Sequence, residues 1–485
     1  MNMHFRFYES RLFSKPIFFV LLPVFFVLHG FSENLFLINF KDMLLLMLFY
    51  IAVETCLFFI FVRIYKSSYK SALAVFLTFG IYFFFGAFHD LIKSLVYNFL
   101  SSYTFLLILL TLSYLFFLIY LKQRGFTERL AVYLNFLFLL LIFTDIGIII
   151  FKVNNYDNIE FSISKTSTIN KPNIYLIVVD EYAGQDQLKS TFNYENHLFL
   201  NGLSALNFSV INNSRSNYNA TPFSIASLMS MSFHNELSNF KYTDENLKYC
   251  YTKIAKSNVV SGLKSVGYQF FNYSIFDIEG EKSFISKTFL KSGTQLITSQ
   301  TLWNRVKRDL YENFVFRYMR KTSLYKKLIM QDYYNNELLY ERTTAQAIKH
   351  SSNPKFVYTH LLMPHFPYYF NSDGKLNSIE KLGPENLNNK TLYLGYLQYA
   401  NNKILDLLNK LISGDKNAII LLLSDHGYRY ANDGNMIYSN LLAIYDKQNY
   451  IRDIESLHSN VNVFRLLFNS LFKTNLKLLP DKNFK

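Results

Sequence analysis

Three apolar runs of strand length, each followed by acidic or histidine side chains, stand out in this sequence. The runs are 173–179, 356–362 and 418–423. The residues that follow them are Asp180 and Glu181 after the first run, His365 after the second, and Asp425 and His426 after the third. Such runs are typical of central strands in a parallel sheet covered by helices. Because open α/β sheets bind ligands at the carboxyl ends of their strands, these carboxylates and imidazoles are candidate ligands for a divalent cation.

Thr221 is a candidate nucleophile between the first two runs. It precedes Pro222 and a segment with helical apolar spacing, so one interpretation is that it only caps a helix. The functional interpretation uses the same position, because a helix N-terminus offers unpaired N–H groups and a favourable dipole to a phosphoryl group. A hydroxyl bound to a metal at that place could attack phosphorus.

Each of the other candidates has a structural alternative. Acid pairs at strand ends often cap a following helix or bond to a turn, which is the simpler interpretation of Asp180 and Glu181 taken alone. His360 lies inside the run 356–362 and is expected to be a core or supporting histidine rather than a ligand. Arg429 follows the Asp–His pair and would add positive charge.

The N-terminal part of the chain is dominated by long apolar stretches. Five of them are long enough to cross a bilayer as helices. They are 16–32, 43–64, 71–89, 102–121 and 130–151. The first lacks a small-residue cleavage site and is expected to be retained. Glu54 and Asp145 fall inside predicted spans, where a carboxylate is costly and is a functional candidate by default.

The connections between these stretches carry unequal positive charge. Lys and Arg on one side are Arg6, Arg11, Lys15, Arg63, Lys66, Lys70, Lys122, Arg124 and Arg129; those on the other are Lys41 and Lys93. This asymmetry predicts a cytoplasmic N-terminus, and five crossings then place everything after residue 152 outside the cytoplasm. The net charge of +14 is compatible with anionic lipids or substrates, or simply with solvated faces, and nucleic acid is not expected as a partner there.

The predicted organisation has three parts: a five-helix transmembrane anchor over 1–151, a polar linker over 152–170 and an extracytoplasmic catalytic domain over 171–475. Helical spacing over 395–412 alternates with the strand runs. The fold class predicted for the domain is therefore α/β with a mainly parallel central sheet. The cysteines, Cys56 and Cys250, leave no disulfide within the domain.

Four motifs resemble the sulfatase-like branch of the alkaline phosphatase superfamily. They are PNIYLIVVDE (172–181), NATPFSIASLM (219–229), HLLMPHFPY (360–368) and LLLSDHG (421–427), in the order and spacing of that branch. Five membrane helices ahead of such a domain are similar to lipoteichoic acid synthases and lipid A phosphoethanolamine transferases.

The resemblance implies one catalytic divalent metal ion, which would be Mn, Mg or Zn. The metal-binding set that it implies is Glu181, Thr221, Asp425 and His426, with Asp180 as a further ligand or neighbour. Thr221 would be the nucleophile, and His365 would contact the phosphoryl oxygens or act as acid or base. The Cys/Ser-x-Pro-x-Arg pattern of true sulfatases does not occur around Thr221, which disfavours sulfate ester hydrolysis. No clear match to a second metal site is found either.

The function implied is transfer of a phosphoglycerol or phosphoethanolamine type of group through a phospho-threonine. The donor would be a membrane phospholipid and the acceptor a cell-envelope glycan or lipid, at the cytoplasmic membrane of a multi-pass protein. One alternative is a hydrolase of the same superfamily, either a phosphodiesterase or a phosphomonoesterase. Another is a catalytically silent envelope scaffold, against which the retention of the whole residue set speaks. The sequence leaves the oligomeric state open.

Overall fold

The computed structural model describes residues 14–95, 101–123, 128–155, 161–163, 171–285, 291–431 and 433–484. The chain divides into two compact units, which are Met1–Asn158 with Thr288–Tyr318, and Ile159–Lys287 with Met319–Lys485. Most of the predicted linker, at 156–160 and 164–170, lies outside the described residues. The domain limits 1–151, 152–170 and 171–475 stay predictions.

Helices account for most of the described part of the N-terminal region and for much of the rest. The α-helices of the described residues are, in chain order, α1 (Phe18–Glu33), α2 (Phe40–Tyr65), α3 (Ser68–Leu95), α4 (Tyr103–Gln123), α5 (Glu128–Asn154), α6 (Gln185–Phe192), α7 (His197–Ala205), α8 (Thr221–Ser230), α9 (Asp244–Ala255), α10 (Asn258–Ser265), α11 (Gln295–Thr298), α12 (Leu302–Val306), α13 (Asn313–Tyr318), α14 (Ser323–Ile329), α15 (Gln331–Ile348), α16 (Lys390–Gly414) and α17 (Val463–Phe472). A π-helix at Lys307–Glu312 joins α12 to α13.

The five predicted membrane stretches all form helices, α1 to α5. Among the described residues, α2, α3, α4 and α5 are long and apolar enough to cross a membrane. Helix α1 has 16 residues, and at about 1.5 Å per residue it is shorter than a hydrocarbon core of about 30 Å. Four helices of the described residues are therefore suited to anchor the chain in a membrane, while the fifth crossing and the orientation stay predictions.

The two intramembrane carboxylates are both buried within the helical bundle. Asp145 joins α5 to α1, because its Oδ1 lies 3.0 Å from His29 Nδ1 and accepts a hydrogen bond from Ser32 Oγ at 3.2 Å. Neither carboxylate oxygen of Glu54 has a hydrogen-bond partner among the described residues. Asp145 thus has a clear structural role in helix packing, which the sequence does not reveal.

Residues 291–318 are far from the N-terminal helices in sequence but belong to the same unit. The backbone of Gln300 lies directly against α3, where its carbonyl oxygen accepts a hydrogen bond from Gly86 N–H at 2.8 Å. A Cβ atom at Gly86 would lie 2.6 Å from that oxygen and 2.9 Å from Gln300 Cα. Only glycine permits this approach, because both distances are well below normal contact.

A six-stranded sheet forms the centre of the second unit. Its strands are β1 (Ile174–Val179), β2 (Phe208–Val210), β3 (Gln269–Tyr273), β4 (Lys355–Leu361), β5 (Ile419–Ser424) and β6 (Leu442–Asp446). The order across the sheet is β2-β6-β5-β1-β4-β3. The pairs β1–β4, β1–β5 and β3–β4 are parallel, and β5–β6 and β2–β6 are antiparallel. The predicted α/β fold with a mainly parallel sheet is confirmed, and the three predicted strands are the adjacent central ones.

Gly86→Ala is expected to destabilise the first unit, because the added methyl group must displace the Gln300 backbone from α3. Overpacking of this kind costs about 1–3 kcal/mol. Thermal unfolding of the detergent-solubilised chain measures the effect. Gly80→Ala in the same helix is the matched control, because no atom lies within 4 Å of its added Cβ. Equal melting temperatures for the two variants would contradict this packing.

Candidate metal centre

The parallel register brings the three predicted strand ends to one edge of the sheet. Val179 at the end of β1 pairs with Leu361 of β4 on one side and with Ser424 of β5 on the other. The next residue, Asp180, donates its backbone N–H to the Leu361 carbonyl oxygen at 2.9 Å. The residue after Ser424 is Asp425. Adjacent strands therefore deliver two carboxylates to the same point, as the sequence predicts.

Asp425 uses one carboxylate oxygen for structure and leaves the other without a partner. Its Oδ1 accepts hydrogen bonds from the backbone N–H of Glu181 at 3.0 Å and of His426 at 2.9 Å. Its Oδ2 is buried with no hydrogen-bond partner among the described residues, and lies 3.3 Å from His426 Nε2. The backbone bonds fix the direction in which Oδ2 points.

Asp180 divides its two oxygens in the same way. Oδ2 lies 3.3 Å from His360 Nε2, while Oδ1 has no hydrogen-bond partner among the described residues and lies 3.9 Å from His426 Nε2. Burial disfavours the charged form of Asp180, but the imidazoles of His365, His360 and His426 outweigh it and hold the pKa of this carboxyl below its usual range.

Glu181 completes a set of three buried carboxylates. Its backbone is left-handed, with φ of 61°, a conformation that costs a non-glycine residue about 1–2 kcal/mol. The Tyr393 hydroxyl compensates by donating to the Glu181 carbonyl oxygen at 2.8 Å. Oε1 accepts the backbone N–H of Arg429 at 3.2 Å, and Oε2 has no hydrogen-bond partner among the described residues. The unpartnered Oε2 lies 3.8 Å from His365 Nε2.

His426 is held in the tautomer that a metal ligand requires. Its Nδ1 lies 2.8 Å from the Gly427 carbonyl oxygen, which can only accept, so the proton is on Nδ1 and the lone pair on Nε2. Nε2 lies 3.3 Å from Thr221 Oγ1. A nitrogen lone pair, a hydroxyl and unpartnered carboxylate oxygens therefore share one buried space.

Thr221 is the first residue of α8, so the alternative interpretation that it caps this helix does not hold. Ala220 occupies the N-cap position, and no side-chain cap hydrogen bond is formed there. The Thr221 hydroxyl faces His426 instead. It therefore lies at the helix N-terminus without satisfying the helix's own N–H groups, which leaves those groups to an anion.

His365 and Arg429 form a less buried wall beside Glu181. His365 donates Nδ1–H to the Phe366 carbonyl oxygen at 2.6 Å, and its Nε2 lies 3.3 Å from Arg429 Nη2 and 3.8 Å from Glu181 Oε2. Burial opposes protonation of His365, but the carboxylates of Asp180 and Glu181 outweigh it and raise its pKa. Arg429 also donates from Nη1 to the Tyr242 hydroxyl at 3.1 Å. These two side chains add positive charge beside Glu181.

Two further neighbours of the site are His360, which the sequence predicts to be a core or supporting histidine, and Tyr242, which sequence reasoning missed. His360 is fully buried, and Asp180, His360 and Asp425 each present a ligand atom within 4.8 Å of the others. The strand register is a signal that could have identified His360. It pairs with Val178, two residues before Asp180, so the side chains of His360 and Asp180 lie on the same face of the sheet. Tyr242 has no such signal, because it approaches from a loop.

The chemistry of this residue set fits a divalent metal ion. Asp180, Glu181 and Asp425 are at most 1% exposed, and each has an oxygen without a hydrogen-bond partner among the described residues. Such groups are costly unless a cation compensates them. Carboxylate oxygens with one imidazole nitrogen suit Mn, Mg or Zn.

Comparisons with known proteins agree with this fold. A family model described as Sulfatase matches residues 172–456, more than half of the chain. None of the curated protein sequences compared matches the chain. Similar solved structures include the C-terminal periplasmic domain of EcEptC from Escherichia coli, at 14% identity and a TM-score of 0.40, covering 64% of this chain and 86% of that one.

Two further structures show the same degree of similarity. The C-terminal periplasmic domain of the phosphoethanolamine transferase EptC from Campylobacter jejuni has 15% identity and a TM-score of 0.34, covering 64% of this chain and 97% of that one. The phosphonate monoester hydrolase SpPMH from Silicibacter pomeroyi has 12% identity and a TM-score of 0.40, covering 62% and 73%. At these TM-scores the likenesses carry no argument about the reaction.

Metal binding is expected to stabilise the solubilised chain, and Asp425→Asn is expected to abolish that effect. The amide oxygen of Asn can still accept both backbone hydrogen bonds, while its NH₂ group replaces the unpartnered oxygen. A metal at 100 times its Kd stabilises the wild type by about 2.7 kcal/mol. Thermal unfolding after chelation, with Mn²⁺, Mg²⁺ or Zn²⁺ added back, measures the difference.

Asp415→Asn is the matched control for that experiment. Asp415 accepts hydrogen bonds from Asn173 and Tyr175 elsewhere in the second unit. This variant is expected to keep the stabilisation by metal whatever its own melting temperature. A metal response that survives in Asp425→Asn would remove Asp425 from the ligand set.

Proposed function

This chain belongs to the sulfatase family, and within it we propose a membrane-anchored transferase that moves a phospho-substituent from a phospholipid to an envelope glycan or lipid. The chain is an enzyme of this superfamily. Transfer of a phosphoglycerol or phosphoethanolamine type of group through Thr221 is the specific reaction proposed.

The observation that carries this proposal is the surroundings of the Thr221 hydroxyl. It lies 3.3 Å from His426 Nε2, in the space that the unpartnered oxygens of Asp180 and Asp425 also face. A hydroxyl at the N-terminus of a helix, beside ligands for a cation, suits attack on a phosphoryl group better than any structural role.

The residues proposed to hold the metal are Asp180, Glu181, Asp425, His426 and Thr221. A divalent ion held there would supply positive charge that favours the deprotonated Thr221 hydroxyl and the anionic phosphoryl oxygens. The chain's own contribution is to preorganise the ligands. The backbone bonds of Asp425 and the Gly427 carbonyl oxygen that fixes His426 do this before substrate binds.

The proposed reaction has two displacements at phosphorus. In the first, the Thr221 hydroxyl loses its proton to solvent and its oxygen forms a bond to phosphorus, while the bond to the diacylglycerol oxygen breaks and that oxygen takes up a proton. In the second, an acceptor hydroxyl loses its proton and attacks phosphorus, the bond to Thr221 breaks, and the Thr221 oxygen takes up a proton. The helix N-terminus of α8 can stabilise the phosphoryl oxygens in both steps.

Arg429 is proposed to bind the anionic phosphoryl group, and His365 is proposed to donate a proton to the leaving group. Arg429 is held by Glu181, with Nε at 3.6 Å from Oε1, and can bind phosphoryl oxygens. His365 is anchored through Nδ1, so Nε2 is the atom available to give a proton to the leaving diacylglycerol oxygen. An anchor in the membrane supports a lipid donor, because the donor then arrives by lateral diffusion.

Thr221→Ala is expected to abolish release of diacylglycerol from labelled phospholipid, by on the order of 10⁴-fold or more, because the nucleophile is lost. Thr221→Ser keeps a hydroxyl and should retain measurable turnover. The assay uses the purified chain with labelled phosphatidylethanolamine or phosphatidylglycerol and added divalent metal. Peptide mass spectrometry should find the phospho-substituent on Thr221 when no acceptor is supplied.

The same assay separates transfer from hydrolysis. A hydrolase would release the free phospho-alcohol into water at full rate without an acceptor. A transferase would stop at the Thr221 adduct until a glycan or lipid acceptor is added. Turnover that is unaffected by Thr221→Ala would exclude both forms of the proposal.

His365→Ala is expected to lower the turnover by about 10²- to 10⁴-fold, the usual contribution of a positioned acid or base. The loss should be smaller for a donor whose leaving group needs no proton, such as a nitrophenyl ester. The control is His197→Ala, since the His197 side chain is 67% exposed on α7 of the same unit. An equal loss with both donors would argue against proton donation by His365.

A further inference from the structure

An exposed row of large apolar side chains lies on the helical segment 302–318, which comprises α12, the π-helix and α13. The exposed members are Trp303, Leu310, Tyr311, Phe314 and Tyr318. Trp303 is 66% exposed, Phe314 54% and Tyr318 73%. Aromatic side chains in such number on a segment of this length are unusual on a surface that faces only water.

The other side of this segment is attached to the ends of two membrane helices. The Arg305 side chain is buried; its Nη2 lies 2.8 Å from His89 Nδ1, and its guanidinium pairs with the Asp90 carboxylate. Its Nε donates to the Tyr103 hydroxyl at 3.2 Å. His89 and Asp90 belong to the final turns of α3, and Tyr103 begins α4. Arg305 therefore anchors the segment where two apolar helices leave the membrane.

The same end of the bundle includes the C-terminal ends of α1 and α5. Ile297, just before the segment, packs against Gly30 near the end of α1. Lys152 in the last turn of α5 donates to the Ser32 carbonyl oxygen at 2.8 Å. The segment thus lies at the membrane face from which the chain leaves the last membrane helix.

The composition of the segment is that of an interfacial helix. Lys307 and Arg317 are exposed cations of the segment, while Arg308 is exposed but paired with Asp309. Tryptophan and tyrosine prefer the headgroup level of a bilayer, and basic side chains are attracted to anionic lipid surfaces. The attachment of Arg305 to the ends of α3 and α4 and the side-chain types of the segment therefore both indicate contact with the lipid surface.

We propose that residues 302–318 form an interfacial helix that lies on the membrane, with the aromatic row inserted at the level of the lipid headgroups. The partner is the lipid surface itself. The ion pair of Arg305 with Asp90 holds the helix at this depth. This inference is independent of the reaction proposed above, because it rests on the first unit alone.

Trp303 is the only tryptophan of the chain, so its fluorescence reports on this helix directly. The full chain is reconstituted in phosphatidylethanolamine and phosphatidylglycerol vesicles that contain lipids brominated either near the ester group or near the chain end. We expect blue-shifted emission that shallow bromines quench more strongly than deep ones. Aqueous iodide should quench it weakly.

Phe116→Trp in a Trp303→Phe background is the matched reference for depth. Phe116 lies near the middle of α4 and is 71% exposed, so its replacement should be quenched more strongly by the deep bromines. Red-shifted Trp303 emission that iodide quenches would overturn the proposal. Protection from iodide and from both brominated lipids would also overturn it, because protein rather than lipid would then cover Trp303.

Gly86→Ala tests whether the attachment to α3 sets the depth. The added methyl group displaces the backbone of Gln300, directly before the segment, so Trp303 should lose lipid quenching and gain iodide quenching. Gly80→Ala should leave both unchanged. Identical quenching in the two variants would show that the packing at Gly86 does not hold the helix at the membrane.

Discussion

Three buried carboxylates at one edge of the sheet are the constraint on which the second unit depends. Asp180, Glu181 and Asp425 each have an oxygen without a hydrogen-bond partner among the described residues, although they are almost completely buried. Buried carboxylate oxygens without partners raise the free energy of the folded state unless a cation compensates them. The buried sheet around the site supplies the stabilisation that offsets this cost.

The residues around these carboxylates fix the orientation of each side chain. The Arg429 N–H bond to Glu181, the backbone hydrogen bonds to Asp425 and the His360 contact with Asp180 each hold one oxygen and leave the other without a hydrogen-bond partner among the described residues. The Gly427 carbonyl oxygen fixes the His426 ring in a similar way, because it accepts a hydrogen bond from Nδ1–H. Because each of these side chains is held by a further bond, the site is preorganised before any ligand binds.

The first unit meets a different constraint. At a membrane its backbone hydrogen bonds must be satisfied and its charged side chains must be compensated. Its helices satisfy their own hydrogen bonds, and Asp145 is compensated by His29 and Ser32. At one end of the bundle, Gly86 allows the later segment to pack against α3, and Arg305 is neutralised by Asp90. A surface rich in aromatic residues is thereby fixed at the ends of the apolar helices.

The sequence by itself determined the features that depend on local pattern. Apolar length predicted the membrane helices, and continuous apolar runs predicted β1, β4 and β5, with acids and histidines at one edge of the sheet. Only the tertiary structure decided that Thr221 faces His426 rather than capping α8, that His360 contacts Asp180, and that residues 291–318 pack on the first unit. The physical reason is that periodicity records which face of an element is buried. It does not record which distant group a side chain meets there, because that depends on strand register and on backbone approach between segments far apart in the chain.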